Sequence, residues 1–157
     1  MNEVSAAQQE VIEEFSFFEN WMDRYQYLID LGRRLPPLDV SERVEDNLIK
    51  GCQSQVWFVA EQNDNRLNFR ANSDAAIVSG LIAILLRMYS GKTSADILEA
   101  PADFVTALQL EQHLSPTRSN GLAAMLKAIR QFAADAQATV SSRPGRHAFL
   151  PCRCARW

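Results

Sequence analysis

The run Gln55-Val56-Trp57-Phe58-Val59-Ala60-Glu61-Gln62-Asn63-Asp64-Asn65-Arg66-Leu67-Asn68-Phe69-Arg70-Ala71 decides the fold class. Residues 55–60 are rich in β-branched and aromatic side chains and read as a strand. Asn63-Asp64-Asn65 reads as a turn, and residues 66–71 as the partner strand, with Leu67 and Phe69 on one face. Both flanks read as helix. Upstream, Val11, Ile12, Phe15 and Phe18 recur at helical spacing over residues 8–19, with Glu10, Glu13 and Glu14 opposite. A second helix over 20–34 has Asn20 as its N-cap, an apolar stripe of Trp21, Tyr25, Leu28 and Ile29, and Pro36-Pro37 as its stop. Residues 43–48 read as a short helical turn.

Downstream, Ser73 or Asp74 is placed to cap a helix over 75–89 whose centre, residues 77–86, is apolar almost all round. Such a helix is buried on more than one side. Gly91 ends it, Thr93 caps a short helix over 94–100, and residues 101–108 give another. Ser115-Pro116 pairs a cap with proline at the first helical position. It opens a last helix to about Ala138, with Leu122, Met125, Leu126, Ile129 and Phe132 as its stripe. The order α-α-β-β-α-α-α-α is α+β: a small antiparallel sheet packed against a layer of helices.

The chain of 157 residues suits one domain and needs no disulfide or metal to fold. Apolar residues at 47% and charged residues at 22% exclude a disordered protein. No apolar run approaches a membrane span, and Met1-Asn2-Glu3-Val4 shows no signal peptide. Three cysteines without an export signal argue for a reducing, cytoplasmic setting. Charge divides unevenly. Residues 141–157 hold Arg143, Arg146, Arg153 and Arg156 and no acid, which leaves residues 1–140 with 12 basic and 19 acidic side chains, a net of −7. An acidic body argues against nucleic-acid binding. The tail 139–157, with Pro144, Gly145, Pro151, Cys152 and Cys154, shows no apolar period. It reads as disordered or non-native, with the domain occupying 1–138.

Chemistry concentrates on Cys52, in Lys50-Gly51-Cys52-Gln53-Ser54-Gln55 just before the first strand. The thiolate is the nucleophile, and a cation such as Lys50, or the helix starts at Asp74 and Ser115, would raise its fraction. The alternative is a small buried hydrophobe, but the polar flanks Gln53 and Ser54 suit a loop tip better. A cysteine hydrolase would need a base, and His113 is the one histidine of the body. No third group or oxyanion signature accompanies a Cys52–His113 dyad. One cysteine and one histidine are too few for a structural zinc site, so no metal and no resident cofactor is expected. Arg118, at the entrance of the last helix, could project towards an anionic or thiolate group.

Four segments in order resemble the SufE family of cysteine desulfuration proteins. They are Asn20-Trp21 through Tyr25, Leu28-Ile29 and Leu31-Gly32; Gly51-Cys52-Gln53-Ser54-Gln55-Val56-Trp57; Ser73-Asp74-Ala75-Ala76-Ile77-Val78 with Gly80-Leu81; and His113-Leu114-Ser115-Pro116 through Arg118-Ser119 and Gly121-Leu122. The resemblance covers about residues 8–135. It implies a SufE/IscU-like fold and a non-enzymatic sulfur carrier; a monomer is the default expectation for the chain. Cys52 would take persulfide sulfur from a SufS-type desulfurase, whose pyridoxal phosphate belongs to that partner, and pass it to a SufBCD-type iron–sulfur scaffold. Gly51, Gln53, Ser54, Asp74 and Arg118 would form the cysteine loop's surroundings or its partner contact. Sulfur relay is exchange at sulfur, and it asks for a thiol that can be both sheltered and presented. Two other readings stand beside it: a contact-only activator with an inert Cys52, and an independent Cys52–His113 enzyme.

Overall fold

The computed structural model describes residues 2–142 and 148–150. Helix α1 spans Glu3–Ser16 and α2 spans Trp21–Arg33. The first starts at Glu3 rather than residue 8. Asn2 caps it, accepting the Val4 and Ser5 N–H groups at 2.9 and 3.1 Å. Val4, Gln8, Val11 and Phe15 form one buried stripe. Its polar member hides the period: Gln8 is buried, donating to the Pro101 carbonyl at 3.0 Å and the Tyr89 hydroxyl at 3.3 Å. Asn20 caps α2 as its sequence indicates, accepting from the Asp23 N–H at 2.9 Å. The expected turn over 43–48 is two 3-10 turns, Val40–Glu42 and Glu45–Asn47.

The hairpin is β1, Val56–Asn63, and β2, Arg66–Ser73, joined by Asp64-Asn65. Asp64 has φ 55°, a left-handed conformation that aspartate tolerates. Phe58 lies opposite Ala71, Ala60 opposite Phe69 and Gln62 opposite Leu67. These residues and Val56 are buried. On the other face Arg70 bridges Glu42 at 2.7 Å and Glu61 at 2.8 Å. The sheet thus has one apolar core face and one mixed face, on which Val59 is buried beside these charges. Two short strands extend it in the order β3-β2-β1-β4. β3, Lys92–Thr93, pairs with β2, and β4, Ala148–Leu150, pairs with β1. Strands of two and three residues carry no readable period.

Helix α3 spans Ala76–Tyr89 and is buried along most of its length. Its N-cap position is Ala75, with no side-chain cap. This corrects the capping roles expected of Ser73 and Asp74: Ser73 Oγ accepts the Ala75 N–H at 3.2 Å, and Asp74 is turned to the cysteine loop. Short helices follow, α4 over Ser94–Glu99, α5 over Phe104–Ala107 and α6 over Leu110–His113. Thr93 caps α4, and Gln109 at φ 57° separates α5 from α6. Helix α7 runs Pro116–Ser142, past the expected end at Ala138. It packs on the core face of the sheet, where Phe132 meets Phe69 with ring centres 6.0 Å apart. Of the tail expected to stand outside the domain, β4 joins the sheet. Arg143, Arg146, His147, Cys152, Arg153, Cys154 and Arg156 lie outside the described residues.

Helices α2 and α3 cross at backbone contact. A Cβ on Gly80 would clash with the Leu28 carbonyl oxygen, and one on Gly32 would fall 2.7 Å from the Gly80 nitrogen. Both motif glycines are therefore packing residues. No helix among the described residues is long and apolar enough to cross a membrane.

Candidate functional site

Residues 50–55 form a loop leading into β1. Its base is closed twice. The Ile49 N–H donates to the Val56 carbonyl at 2.8 Å. Asp74 grips Gln55 from both sides: its Oδ1 accepts the Gln55 N–H at 3.1 Å, and its own N–H donates to the Gln55 carbonyl at 3.3 Å. Gly51 has φ 95°, a conformation that strains any side chain, so the chain can reverse there and turn the next residue inward. Gly51 and Gln53 are exposed, while Cys52 and Ser54 are half-buried.

The Cys52 side chain enters a pocket between the N-terminal halves of α3 and α7. Val78 and Leu81 come from α3, and Thr117, Arg118, Gly121 and Met125 from α7. Its free volume is about 20 Å³. The Sγ–H donates to the Gly121 carbonyl at 3.6 Å. A Cβ on Gly121 would stand 3.6 Å from the sulfur, so glycine keeps that wall back. Thiol–carbonyl contact and partial burial both favour the protonated form, and burial pushes the Cys52 thiol up from its ordinary value. The expectation of Lys50 as an activating cation is corrected here. Both helix starts do reach the pocket, but the sulfur meets a carbonyl oxygen rather than N–H groups. Lys50 lines a neighbouring groove with Ile49, Gly51 and Lys127, not the thiol pocket.

Arg118 is exposed, and its backbone N–H donates to the Ser115 hydroxyl at 3.3 Å, completing the Ser-Pro cap of α7. The structure brings Gly51, Gln53, Ser54 and Arg118 around Cys52, with Asp74 at the loop's base. His113 is not among them. Its ring stacks on Trp21 with centres 3.9 Å apart, and Arg24 covers the same indole at 5.2 Å. The Tyr25 hydroxyl donates to the His113 carbonyl. This clasp fastens the α6–α7 junction to α2 and accounts for the tryptophan, tyrosine and histidine of the motifs. Among the described residues no group of three or more His, Cys, Asp or Glu side chains could hold a metal ion. The sequence reading missed Thr117, Gly121 and Met125 as pocket walls. Gly121 alone carried a signal, standing in a quoted motif without a turn to explain it.

Comparison with known proteins places the chain in a family. The SufE family model, described as an Fe-S metabolism associated domain, matches residues 9–133. A SufE-like protein of Rhizobium meliloti is 40% identical over 126 residues, 77% of this chain and 90% of that protein. One of Rhizobium etli is 41% identical over 131 residues, 80% of this chain and 88% of that protein. The solution structure of a hypothetical protein from Thermus thermophilus superposes with a TM-score of 0.70 at 22% identity, covering 84% of this chain and 96% of that one, a likeness of fold. By its matched segment and its relatives, the chain belongs to the SufE family, whose domain serves iron–sulfur metabolism.

Proposed function

We propose that this chain accepts sulfur on Cys52 from a SufS-type cysteine desulfurase, activates that enzyme by doing so, and relays the sulfur to a SufBCD-type iron–sulfur scaffold. The observation that carries the reading is the pocket at Cys52. Its spare volume of about 20 Å³ is room for one water-sized group beside the sulfur. One added sulfur atom is of that size. A loop pinned at its base and turned by Gly51 can shelter the group there and present it when the crest moves.

The chemistry balances without an outside oxidant. Cys52 loses its proton to solvent or to a base of the partner, and the thiolate attacks the terminal sulfur of the desulfurase persulfide. The S–S bond of the donor breaks, the donor cysteine leaves as a thiolate, and Cys52 becomes a persulfide. The same exchange, with Cys52 as leaving group, hands the sulfur on. Pyridoxal phosphate stays with the desulfurase and supplies the original C–S cleavage there. The resting thiol is poorly ionised, which suits a carrier that should react only when a partner draws the loop out. The Cys52–His113 enzyme reading loses its support, because the imidazole is stacked on Trp21 and lines no part of the thiol pocket.

Intact-mass spectrometry without reductant tests the proposal, after incubation with a SufS-type desulfurase, pyridoxal phosphate and L-cysteine. The expected result is the mass of one sulfur on the full chain and none on the Cys52→Ser chain, with stimulation lost and binding kept. Full stimulation by the serine variant would replace the relay with contact-only activation. Equal sulfur on both chains would move the acceptor to Cys152 or Cys154.

A further inference from the structure

Among the described residues three glycines sit within helices: Gly32 in α2, Gly80 in α3 and Gly121 in α7. Glycine weakens a helix relative to alanine, so each position needs a reason. Gly32 and Gly80 have one, because a Cβ on either would strike the backbone of the crossing helix. Gly121 lacks that reason, and it lacks the left-handed backbone that Gly51 and Gly91 adopt. Beyond its own helix, a Cβ on Gly121 would meet one described atom within 4 Å, the Cys52 sulfur at 3.6 Å. That is an ordinary van der Waals distance. Alanine would fit beside the empty thiol, and the helix would favour it.

What alanine would remove is space. The hollow at Cys52 holds about 20 Å³, room for one small group, and a methyl group is of that order of size. The sulfur faces the Gly121 side of the hollow, since its S–H donates to the Gly121 carbonyl at 3.6 Å. Val78, Leu81 and Met125 supply bulky apolar walls elsewhere. A second sulfur joined to Sγ and kept inside the loop has its place against Gly121. We propose that Gly121 is a positioning residue for the loaded state: the side chain it lacks is the seat of the added sulfur, so the pocket is fitted to the Cys52 persulfide rather than to the resting thiol. This rests on the sulfur-acceptor reading and deepens it, by assigning the residue that sets how long a loaded chain keeps its sulfur. Loading takes place with the loop drawn out to the partner and does not involve Gly121. Storage does, because a seated sulfur meets an outside nucleophile only when the loop opens.

The test loads the full chain with a SufS-type desulfurase, pyridoxal phosphate and L-cysteine, removes the enzyme and adds cyanide. Cyanide attacks the terminal sulfur and the S–S bond breaks. Thiocyanate leaves, and Cys52 keeps the electron pair and the proton as a thiol. Intact mass follows the loss of the added sulfur. Gly121→Ala, with its fold checked by circular dichroism, should load to one sulfur like the wild type. It should then lose that sulfur roughly tenfold faster or more, the shift that one overpacked methyl group makes in an equilibrium. Iodoacetamide should alkylate the unloaded variant at the wild-type rate, because the methyl only touches the resting thiol. Asn120→Ala is exposed on the same turn, raises helix propensity outside the pocket, and should leave sulfur retention unchanged. A wild-type rate of sulfur loss in Gly121→Ala overturns the proposal and leaves the acceptor function standing. So does a Gly121→Ala chain that takes no sulfur, since storage and not acceptance is assigned to the glycine. Alkylation that accelerates as much as sulfur loss also overturns it, because the methyl then loosens the loop whatever the loop carries. Asn120→Ala losing sulfur as fast as Gly121→Ala would do the same. The wild type gives a reading that needs no variant: filling the hollow should raise the melting temperature of the loaded chain above that of the empty one, and an equal or lower value overturns the proposal. A wild type that gains no sulfur from a desulfurase shown to be active overturns both the proposal and the function beneath it.

Discussion

At the scale of a single residue, Cys52 is held in a state opposed to its chemistry. Its Sγ–H points at a helix carbonyl, and burial pushes its thiol up. Iodoacetamide reacts with the thiolate, so the alkylation rate of Cys52 in the folded chain should rise with pH to a midpoint above the free-thiol value of about 8.5. Peptide mapping separates it from Cys152 and Cys154, and urea should return it to the ordinary value. Stability carries the same signature. The unfolded chain loses the Cys52 proton first as pH rises, so the contribution of the buried thiol is complete below the free-thiol range. It declines as pH climbs through that range towards the folded value. The difference in unfolding free energy between wild type and Cys52→Ser should therefore shrink across that window. A midpoint at or below the free-thiol value would mean that a cation or helix dipole, not burial, governs the sulfur.

At the scale of the element, two small features hold the site in place. Asp74 fastens the exit of the cysteine loop by accepting from and donating to Gln55. Asp74→Ala should cost about 1 kcal/mol, the net worth of an ordinary hydrogen bond, because solvent screens this exposed carboxylate. It should also raise the Cys52 alkylation rate several-fold at neutral pH by loosening the loop's base. An unchanged rate would show that the pocket, not the base, restrains the loop. Gly80 lets α3 lie against the α2 backbone. Gly80→Ala should destabilise by about 3 kcal/mol through overpacking, despite the gain of roughly 1 kcal/mol in helix propensity, as read by urea denaturation. The hairpin, the α+β class, the buried α3 and the Asn20, Thr93 and Ser115 caps were legible because each is a local pattern. Asp74 was legible as a polar residue of the site, but its use was not: a side chain before a helix looks like a cap until the loop it grips is in view. The Gly121 wall lies 69 residues from the sulfur in sequence, and the Trp21–His113 stack joins residues still more remote from each other. Such pairings are made by the tertiary fold and leave no spacing to read.

At the scale of the molecule, the first eight residues show how far the folded unit extends beyond its recognisable pattern. The family match begins at residue 9, yet α1 begins at Glu3. The Glu3 carboxylate bridges to Arg66 on β2 at 2.8 Å. The Asn2 side-chain amide donates to the Asp96 carbonyl at 3.0 Å, and the Glu3 N–H to the Asp96 carboxylate at 3.1 Å. Between these polar ties Val4 is fully buried, and Gln8 joins α1 to α3 and to the turn before α5. The leading turns of α1 therefore clamp the hairpin to the α4–α5 layer. The exposed Glu3–Arg66 pair contributes little by itself, while the valine and the buried amide contribute most. Val4→Ala should lower the unfolding free energy by about 2 kcal/mol. Removing residues 1–8 should cost more, because it also strands the Tyr89 hydroxyl and the Pro101 carbonyl without their donor. Tryptophan fluorescence and far-ultraviolet circular dichroism in urea should still report one coincident transition for the full chain, since α1, the sheet and α7 share one core. A shortened chain with an unchanged midpoint would show that residues 1–8 rest on the domain without stabilising it.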